Sequence, residues 1–470
     1  MSVDETIRRA AATTAALDEA GLAGRATMLR AMAEALEAET DALVTAADRE
    51  TSLGRPRLTG EVGRSAYQLR LFADVLDDGA YLEVIIDHAD PNAAPAPRPD
   101  LRRMLIPVGP VGVFAASNFP LAFSVPGGDT ASALAAGCPV VVKVNPGHPD
   151  TSDLAVAALR RGAEAAGLPA DVVQVVHGFE AGADLVTHPA IRAIGFTGSL
   201  RGGRALFDLA NARPDPIPFY GELGSINPLV VTPAAAAERA EAIGTGLAGS
   251  FTQGLGQFCT KPGLAFVPAG ADGDRLIDAL VAAASQVTVG TMLTEGIRDA
   301  FGGGADVRSK IEGVRTALDS PRVLVADAGA LDDVLLEECF GPLIVVARYG
   351  STDQVLAVLE RVEGSLTTIV HCGSGPDEVA AAVARSGAER AGRVLFNGYP
   401  TGVSVTWAMQ HGGPWPATTA SLHTSVGATA IRRFLRPITY QDAPAALLPA
   451  ALRDDNPLRL PRRVDGIHER

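Results

Sequence analysis

At 470 residues the chain is too long for one ordinary core and should divide into two or three domains. Hydrophobic residues make up 47% and charged residues 20%, which suits a packed globular protein and excludes extended disorder. A net charge of −14 repels phosphate polymers, so nucleic-acid binding is not expected.

The first residues, Met1 to Thr6, show no basic stretch followed by an apolar core, and no apolar run approaches the roughly 20 residues needed to span a bilayer. A cytoplasmic protein with no membrane partner is expected. Cys138, Cys259, Cys339 and Cys372 follow no CxxC or zinc spacing, so they should be free thiols with no metal site. The chain is basic almost wholly through Arg. Its only lysines are Lys143, Lys261 and Lys310, which raises the question of why these three remain.

In chain order, residues 5–80 read as helical, with apolar positions three and four apart in stretches such as Met28 to Leu36. Two strand-like runs follow, Tyr81 to Asp87 and Leu101 to Pro107, flanking the polar, Pro-rich stretch 90–100. This pattern predicts a hairpin arm. From Val111 strands and helices alternate. Val111 to Ala116, Val140 to Val144, Val172 to Val176 and Ile191 to Phe196 read as strands. Asp129 to Ala136 reads as a helix stopped by Gly137, and Thr151 to Ala166 as a helix capped by Asp150 and stopped by Gly167. Such βαβ repetition implies a parallel sheet covered on both faces. A second α/β stretch, about 223 to 430, has strands at Pro228 to Val231, Leu264 to Val267, Val323 to Ala326, Leu343 to Ala347, Thr367 to His371 and Val394 to Phe396. The Pro-rich tail from Ile431 reads as a second arm, able to pair with another subunit.

Five short motifs could carry chemistry. In Gly256-Gln257-Phe258-Cys259-Thr260 a Cys sits among Gly and polar residues ahead of a strand. It could be a nucleophile or an ordinary small hydrophobe. In Tyr220-Gly221-Glu222-Leu223-Gly224-Ser225 a Glu lies at a strand end between glycines, either as a general base or as a turn carboxylate. Ser117-Asn118-Phe119-Pro120 follows the first strand of the parallel sheet, where ligands collect. Asn118 could donate to an oxyanion or simply form a turn. Lys143 ends the buried strand Val140 to Val144, where its ammonium calls for an anion or hydroxyls unless it reaches solvent. In Phe196-Thr197-Gly198-Ser199, Gly198 makes the turn and Ser199 is an N-cap candidate, and the helix start behind them would suit a phosphate. No GxGxxG is present.

Together, and in this order, these motifs resemble the aldehyde dehydrogenase superfamily, joined by Glu338-Cys339-Phe340-Gly341-Pro342. The resemblance covers essentially the whole chain. Gly221 to Pro228, Gln257 to Leu264, Gln410 to Thr418 and Leu452 to Pro457 are most similar to the 2-oxoglutarate semialdehyde (2,5-dioxovalerate) dehydrogenases within it. Ser225 departs from the family, where Gly is usual, and Pro146 stands where NAD-specific members carry Glu.

The resemblance implies an α/β, aldehyde-dehydrogenase-like fold: a Rossmann-like parallel-sheet cofactor domain (1–80 and 109–222), an α/β catalytic domain (223–430), and a β-arm for oligomerisation (81–108 and 431–470). The two arms expose strand edges that a lone monomer would have to protect, so a homodimer or homotetramer built on strand addition is expected. Cys259 would be the nucleophile, Glu222 the base that hydrolyses the thioester, and Asn118 an oxyanion donor. Lys143, Gly198, Ser199, Glu338 and Phe340 would bind the cofactor. NADP is favoured over NAD because Pro146 removes the carboxylate that would repel a 2′-phosphate. Phe119 and Phe258 would wall the aldehyde tunnel, with Gln253, Gln257 and Thr260 as polar contacts. The role of His411, at the substrate end or structural, stays open, as does which Arg, if any, meets a substrate carboxylate. A long-chain aldehyde dehydrogenase, a CoA-acylating enzyme and a catalytically silent binding protein are the competing readings. Intact Cys259, Glu222 and Asn118 argue against the last, and Glu222 against the second.

Overall fold

The Ala-, Leu- and Arg-rich N-terminal region folds into four helices, Val3–Ala12, Thr14–Ala38, Thr40–Thr51 and Arg55–Asp78, in the computed structural model, which describes residues 1–469. Ser2 caps the first by accepting from the Glu5 N–H at 3.2 Å. Gly79, at φ 72°, ends the fourth in the left-handed conformation. The strand expected from Tyr81 begins later, as β1 (Val84–Asp87). Ala80–Leu82 instead form a short 3-10 turn that buries Tyr81 and Leu82, and Glu83 is left-handed at φ 47°. The return strand β2 (Leu101–Pro107) lies where expected.

The next five strands are β3 (Val111–Phe114), β4 (Val140–Lys143), β5 (Val173–Val176), β6 (Ala193–Thr197) and β7 (Phe219–Glu222). They form a wholly parallel sheet in the order β5-β4-β3-β6-β7. The order reverses at β3 and β6, which opens a crevice at their carboxyl ends. Alternate residues face opposite ways. Val111, Val113, Val140 and Val142 pack under the long N-terminal helices, whereas Phe114, Val141, Ile194 and Phe196 pack with Ile7, Leu185 and Ala210. Gly137, at φ 96°, stops the helix Gly128–Ala136 as expected. Asp150 is not a cap. The helix starts at Pro149, and the free N–H groups of Asp150 and Thr151 are taken by the Glu50 carboxylate at 2.8 and 3.0 Å. Asp150 itself turns outward to Arg49. A partner 100 residues away replaced the local cap.

The second sheet contains β8 (Pro228–Val231), β9 (Leu264–Pro268), β10 (Arg315–Leu318), β11 (Arg322–Asp327), β12 (Leu343–Tyr349), β13 (Ser365–His371) and β14 (Ala391–Phe396). Its order is β10-β11-β12-β9-β8-β13-β14, parallel except for the edge strand β10. The sequence reading missed β10, a half-exposed strand with no apolar run. Val230, Phe266 and Val345 fill one face of this sheet, and Leu229, Val231, Val267 and Ile344 fill the other.

The tail supplies β15 (Leu435–Gln441), β16 (Arg462–Val464) and β17 (Ile467–Glu469). The two arms join in one sheet, ordered β15-β2-β1-β16-β17, with β15 antiparallel to β2. Both edges of β2 are therefore paired within the chain. Among the described residues no helix is long and apolar enough to cross a membrane.

Candidate active site

Register brings the first sheet's motifs to one edge. Lys143 closes β4 opposite Phe114 of β3, and Glu222 closes β7 opposite Thr197 of β6. Asn118 and Phe119 lie in the loop after β3, and Ser199 begins the helix after β6. Cys259 reaches this edge from the other side, in the segment between the helix Pro233–Thr252 and β9. Gly254, Leu255 and Gly256 are all left-handed there. A Cβ at Gly256 would collide with the Gly341 carbonyl, so the glycine lets the cysteine loop close against the Glu338–Pro342 loop.

Cys259 is half-buried, and its Sγ lies 3.6 Å from His411 Nε2. The same nitrogen is 3.0 Å from Glu222 Oε1, and the Ser425 hydroxyl donates to Glu222 Oε2 at 2.5 Å. His411 and Glu222 are almost fully buried. His411 Nδ1 is buried without a partner. Nε2 is the ring nitrogen that faces the carboxylate, and its proton donates to Glu222. Burial pushes the Glu222 carboxyl upward. The His411 charge and hydrogen bonds from His411, Ser425 and the Cys259 thiol outweigh it, so Glu222 lies below its ordinary range. Burial, then the nearby Glu222 carboxylate, push the Cys259 thiol well up. The three donor atoms lie within 4.8 Å of one another, so the set could also take a thiophilic metal ion, which would block the sulfur.

Asn118 is buried, and its amide donates to the Gln257 carbonyl at 3.0 Å. An amide nitrogen carries two protons, so a second N–H remains to be donated. The Gln257 side chain is occupied by backbone: its Nε2 donates to Gly254 at 3.1 Å and its Oε1 accepts from Leu293 at 2.9 Å. Thr260 is buried and Gln253 is exposed. Phe119 and Phe258 meet edge to face, with centroids 5.2 Å apart.

On the other side of the edge, Ser199 accepts from the Gly202 N–H at 3.2 Å, as an N-cap should. A Cβ at Gly198 would lie 2.8 Å from the Phe196 ring. Lys143 is half-buried, burial lowers its pKa, and its ammonium has no hydrogen-bond or salt-bridge partner among the described residues. Glu338 and Phe340 are half-buried. Burial pushes Glu338 up to about 7, against the Lys261 charge and a Ser225 N–H. A Cβ at Gly224 would lie 2.6 Å from Glu338 Oε2, so that glycine lets the two loops meet. Lys261 is fully buried, with its ammonium on the Cys339 and Leu343 carbonyls at 2.7 and 3.0 Å.

Sequence reasoning left His411 without a role and passed over Ser425, Arg57 and Arg64. Only His411 had a signal, in the Gln410 to Thr418 stretch. Arg57, Glu61 and Arg64 share a helical spacing, but in an Arg-rich chain that spacing did not stand out.

A profile of the aldehyde dehydrogenase family matches residues 1–300. The chain is 48% identical to alpha-ketoglutaric semialdehyde dehydrogenase 2 of Azospirillum brasilense, covering 95% of this chain and 88% of that one. It is 42% identical to alpha-ketoglutaric semialdehyde dehydrogenase of Acinetobacter baylyi, covering 94% and 87%. Its fold is that of an NAD-dependent aldehyde dehydrogenase from Sinorhizobium meliloti, with a TM-score of 0.78 at 22% identity over 95% of this chain and 89% of that one. The chain belongs to the aldehyde dehydrogenase family and is an NAD(P)-dependent enzyme that oxidises an aldehyde to a carboxylic acid.

Proposed function

We propose that the enzyme oxidises 2-oxoglutarate semialdehyde to 2-oxoglutarate, with NADP as the favoured cofactor. The substrate reading is supported by the names of the two relatives above, each similar along nearly its whole length. The observation that carries the chemistry is the buried chain of contacts Cys259–His411–Glu222–Ser425.

The Cys259 thiol ionises and releases its proton to solvent, since even a sparsely populated thiolate is a strong nucleophile. The thiolate attacks the aldehyde carbon and forms a thiohemiacetal. Its oxyanion receives the Cys259 backbone N–H and the second N–H of Asn118, whose orientation is set by the Gln257 carbonyl. A bound nicotinamide supplies the hydride acceptor. Cys259 is left as a thioester, and Glu222 takes a proton from the water that hydrolyses it. His411 and Ser425 keep Glu222 aimed and ionised until it takes that proton. A water-activating carboxylate so close to the sulfur favours hydrolysis over release to CoA.

A dinucleotide fits the crevice between β3 and β6. Gly198 brings the backbone close, the helix start at Ser199 suits a pyrophosphate, and the unpartnered Lys143 ammonium suits the adenosine ribose or its 2′-phosphate. Pro146 is exposed and adds no competing carboxylate. Glu338 and Phe340 would hold the nicotinamide ribose. Phe119 and Phe258 would wall the aldehyde tunnel, with Gln253 and Thr260 beside it, while Gln257 acts through the backbone it braces.

We assign residues 1–80 and 109–222 to the cofactor domain, 223–430 to the catalytic domain, and 81–108 with 431–470 to an assembly arm. Strands β14, β15 and β17 end their sheets and invite strand addition between copies, giving a homodimer or homotetramer. Sedimentation showing only monomer would end that assignment. Four unpaired thiols fit a cytoplasmic location. The deciding experiment compares kcat/KM for 2-oxoglutarate semialdehyde, hexanal and decanal, each with NAD and NADP. A preference for decanal moves the reading to long-chain aldehydes, and a preference for NAD removes the consequence given to Pro146.

A further inference from the structure

One helix turns a charged stripe toward the aromatic side of the site. Arg57, Glu61 and Arg64 stand four and three residues apart on the helix Arg55–Asp78, so they share a face. Against that face lie Phe119, Phe123 and Phe258. The Arg57 guanidinium sits 5.0 Å from the Phe119 centroid and 4.9 Å from that of Phe258, and Arg64 sits 5.4 Å from that of Phe123. Phe119 in turn is 5.2 Å from both Phe123 and Phe258. The tunnel wall expected from sequence is thus an aromatic cluster backed by two cations.

The two cations differ in what remains to them. Arg57 donates Nε to Glu61 Oε1 at 3.3 Å and Nη2 to the Asn118 carbonyl at 2.5 Å. Glu61 also accepts from the Leu121 and Ala122 N–H groups. Arg64 donates only Nη1, to the Val403 carbonyl at 2.7 Å. Its Nε and Nη2 are buried and have no partner. These two nitrogens form one edge of the guanidinium, the edge whose parallel N–H bonds match the two oxygens of a carboxylate. One Glu faces two Arg, so the stripe carries an uncompensated positive charge. The other acidic groups whose charges Arg64 feels are Cys259 and Glu222, the reacting groups themselves. A buried donor edge left unmet is costly, and a neutral aldehyde would not meet it.

We propose that the Nε–Nη2 edge of Arg64 receives the distal carboxylate of the substrate, which makes Arg64 a specificity-determining residue of this enzyme. The proposal rests on the reading that the substrate is a 2-oxo acid semialdehyde. Arg57, already committed to Glu61 and the Asn118 loop, supports the wall and is not the anchor.

The test measures kcat and KM for 2-oxoglutarate semialdehyde and for hexanal in the wild type, Arg64→Met and Arg64→Lys. In Arg64→Met, kcat/KM for the acidic aldehyde should fall by about 10²-fold, mostly through KM, while hexanal changes by less than about threefold. Arg64→Lys keeps the charge without the two-pronged edge and should fall between, again with hexanal preserved. Hexanal turnover also reports that each variant is folded. If Arg64→Met does not fold, the Lys variant decides on the same split between substrates. Equal loss of both aldehydes, or no loss for the acidic one, overturns the role of Arg64 while leaving the substrate reading intact. A wild type that prefers hexanal overturns the substrate reading, and the assignment of Arg64 falls with it.

Discussion

The two parallel sheets contribute to the same site by different means. Along the first, the side chains sit at or just beyond strand ends: Lys143 and Glu222 are the last residues of β4 and β7, and Asn118 and Ser199 follow β3 and β6 within a few residues. Around the second, Cys259 and Glu338 come from loops, and His411 and Ser425 from the long stretch between β14 and the short turn at Ala428, which has no helix or strand. A strand end is placed by its own ladder. The long stretch is placed by side chains, such as Thr424 Oγ1, which accepts from the His411 N–H at 2.8 Å. A charge that closes an apolar strand is an anomaly that demands a reason, whereas a histidine in a loop demands none.

The largest effect should separate the nucleophile proposed beside the second sheet from the base proposed at the end of the first. Cys259→Ala should abolish turnover and leave cofactor binding nearly intact, because in the proposed mechanism the sulfur attacks substrate and does not hold the dinucleotide. Replacing Cys138, Cys339 or Cys372 by Ala should leave substantial turnover. Glu222→Gln should lose about 10²–10⁴-fold in steady state. It should still release up to one NAD(P)H per site, and the peptide containing Cys259 should carry the acyl mass. Normal activity in Cys259→Ala, or full multiple turnover in Glu222→Gln, would break the division of labour.

A smaller effect should come from His411, the residue that ties the long loop to the strand end. His411→Ala should cost about 10–10²-fold in kcat/KM, the scale of losing a charge-assisted hydrogen bond plus some aim. Its pH profile distinguishes aiming from mere packing. The base proposed at Glu222 works only when ionised, and His411 is a main reason its pKa stays low against burial. With that partner gone burial prevails, the Glu222 pKa rises, and the acidic limb of kcat/KM should move to higher pH. His411→Gln, which can still donate to the carboxylate, should restore part of the rate. An unmoved acidic limb in both variants would make His411 a packing residue.

Much of this architecture could be read before folding, for identifiable reasons. Buried parallel strands are continuous apolar runs, so Pro228–Val231 was placed to the residue. What escaped depended on partners distant in sequence. The cap of the helix Pro149–Ala165 is the Glu50 carboxylate, so Asp150 was a misleading local candidate. The strand β10 is an edge with no apolar run. Lys261, conspicuous for its rarity, proves to be fully buried on two carbonyls. Gln257 was expected at the substrate and its amide instead braces Gly254 and Leu293. Arg64 could not be told from the many other arginines until its neighbours were in place.

The arm sheet also bears on how the chain is made. Arg102, in β2, donates to the Leu452 carbonyl 350 residues further on, and β15 completes the pairing of β2. Phe434, Leu448 and Leu452 lie in the same core as Met28, Leu69 and Val111. At ribosomal rates that separation is roughly 20–70 s of synthesis. For that interval the nascent first half carries an open strand edge and an unfinished core, which makes it a client for chaperones and vulnerable to association with its neighbours on the same message. The last forty residues therefore act as a latch, and only their arrival closes the half that was synthesised first.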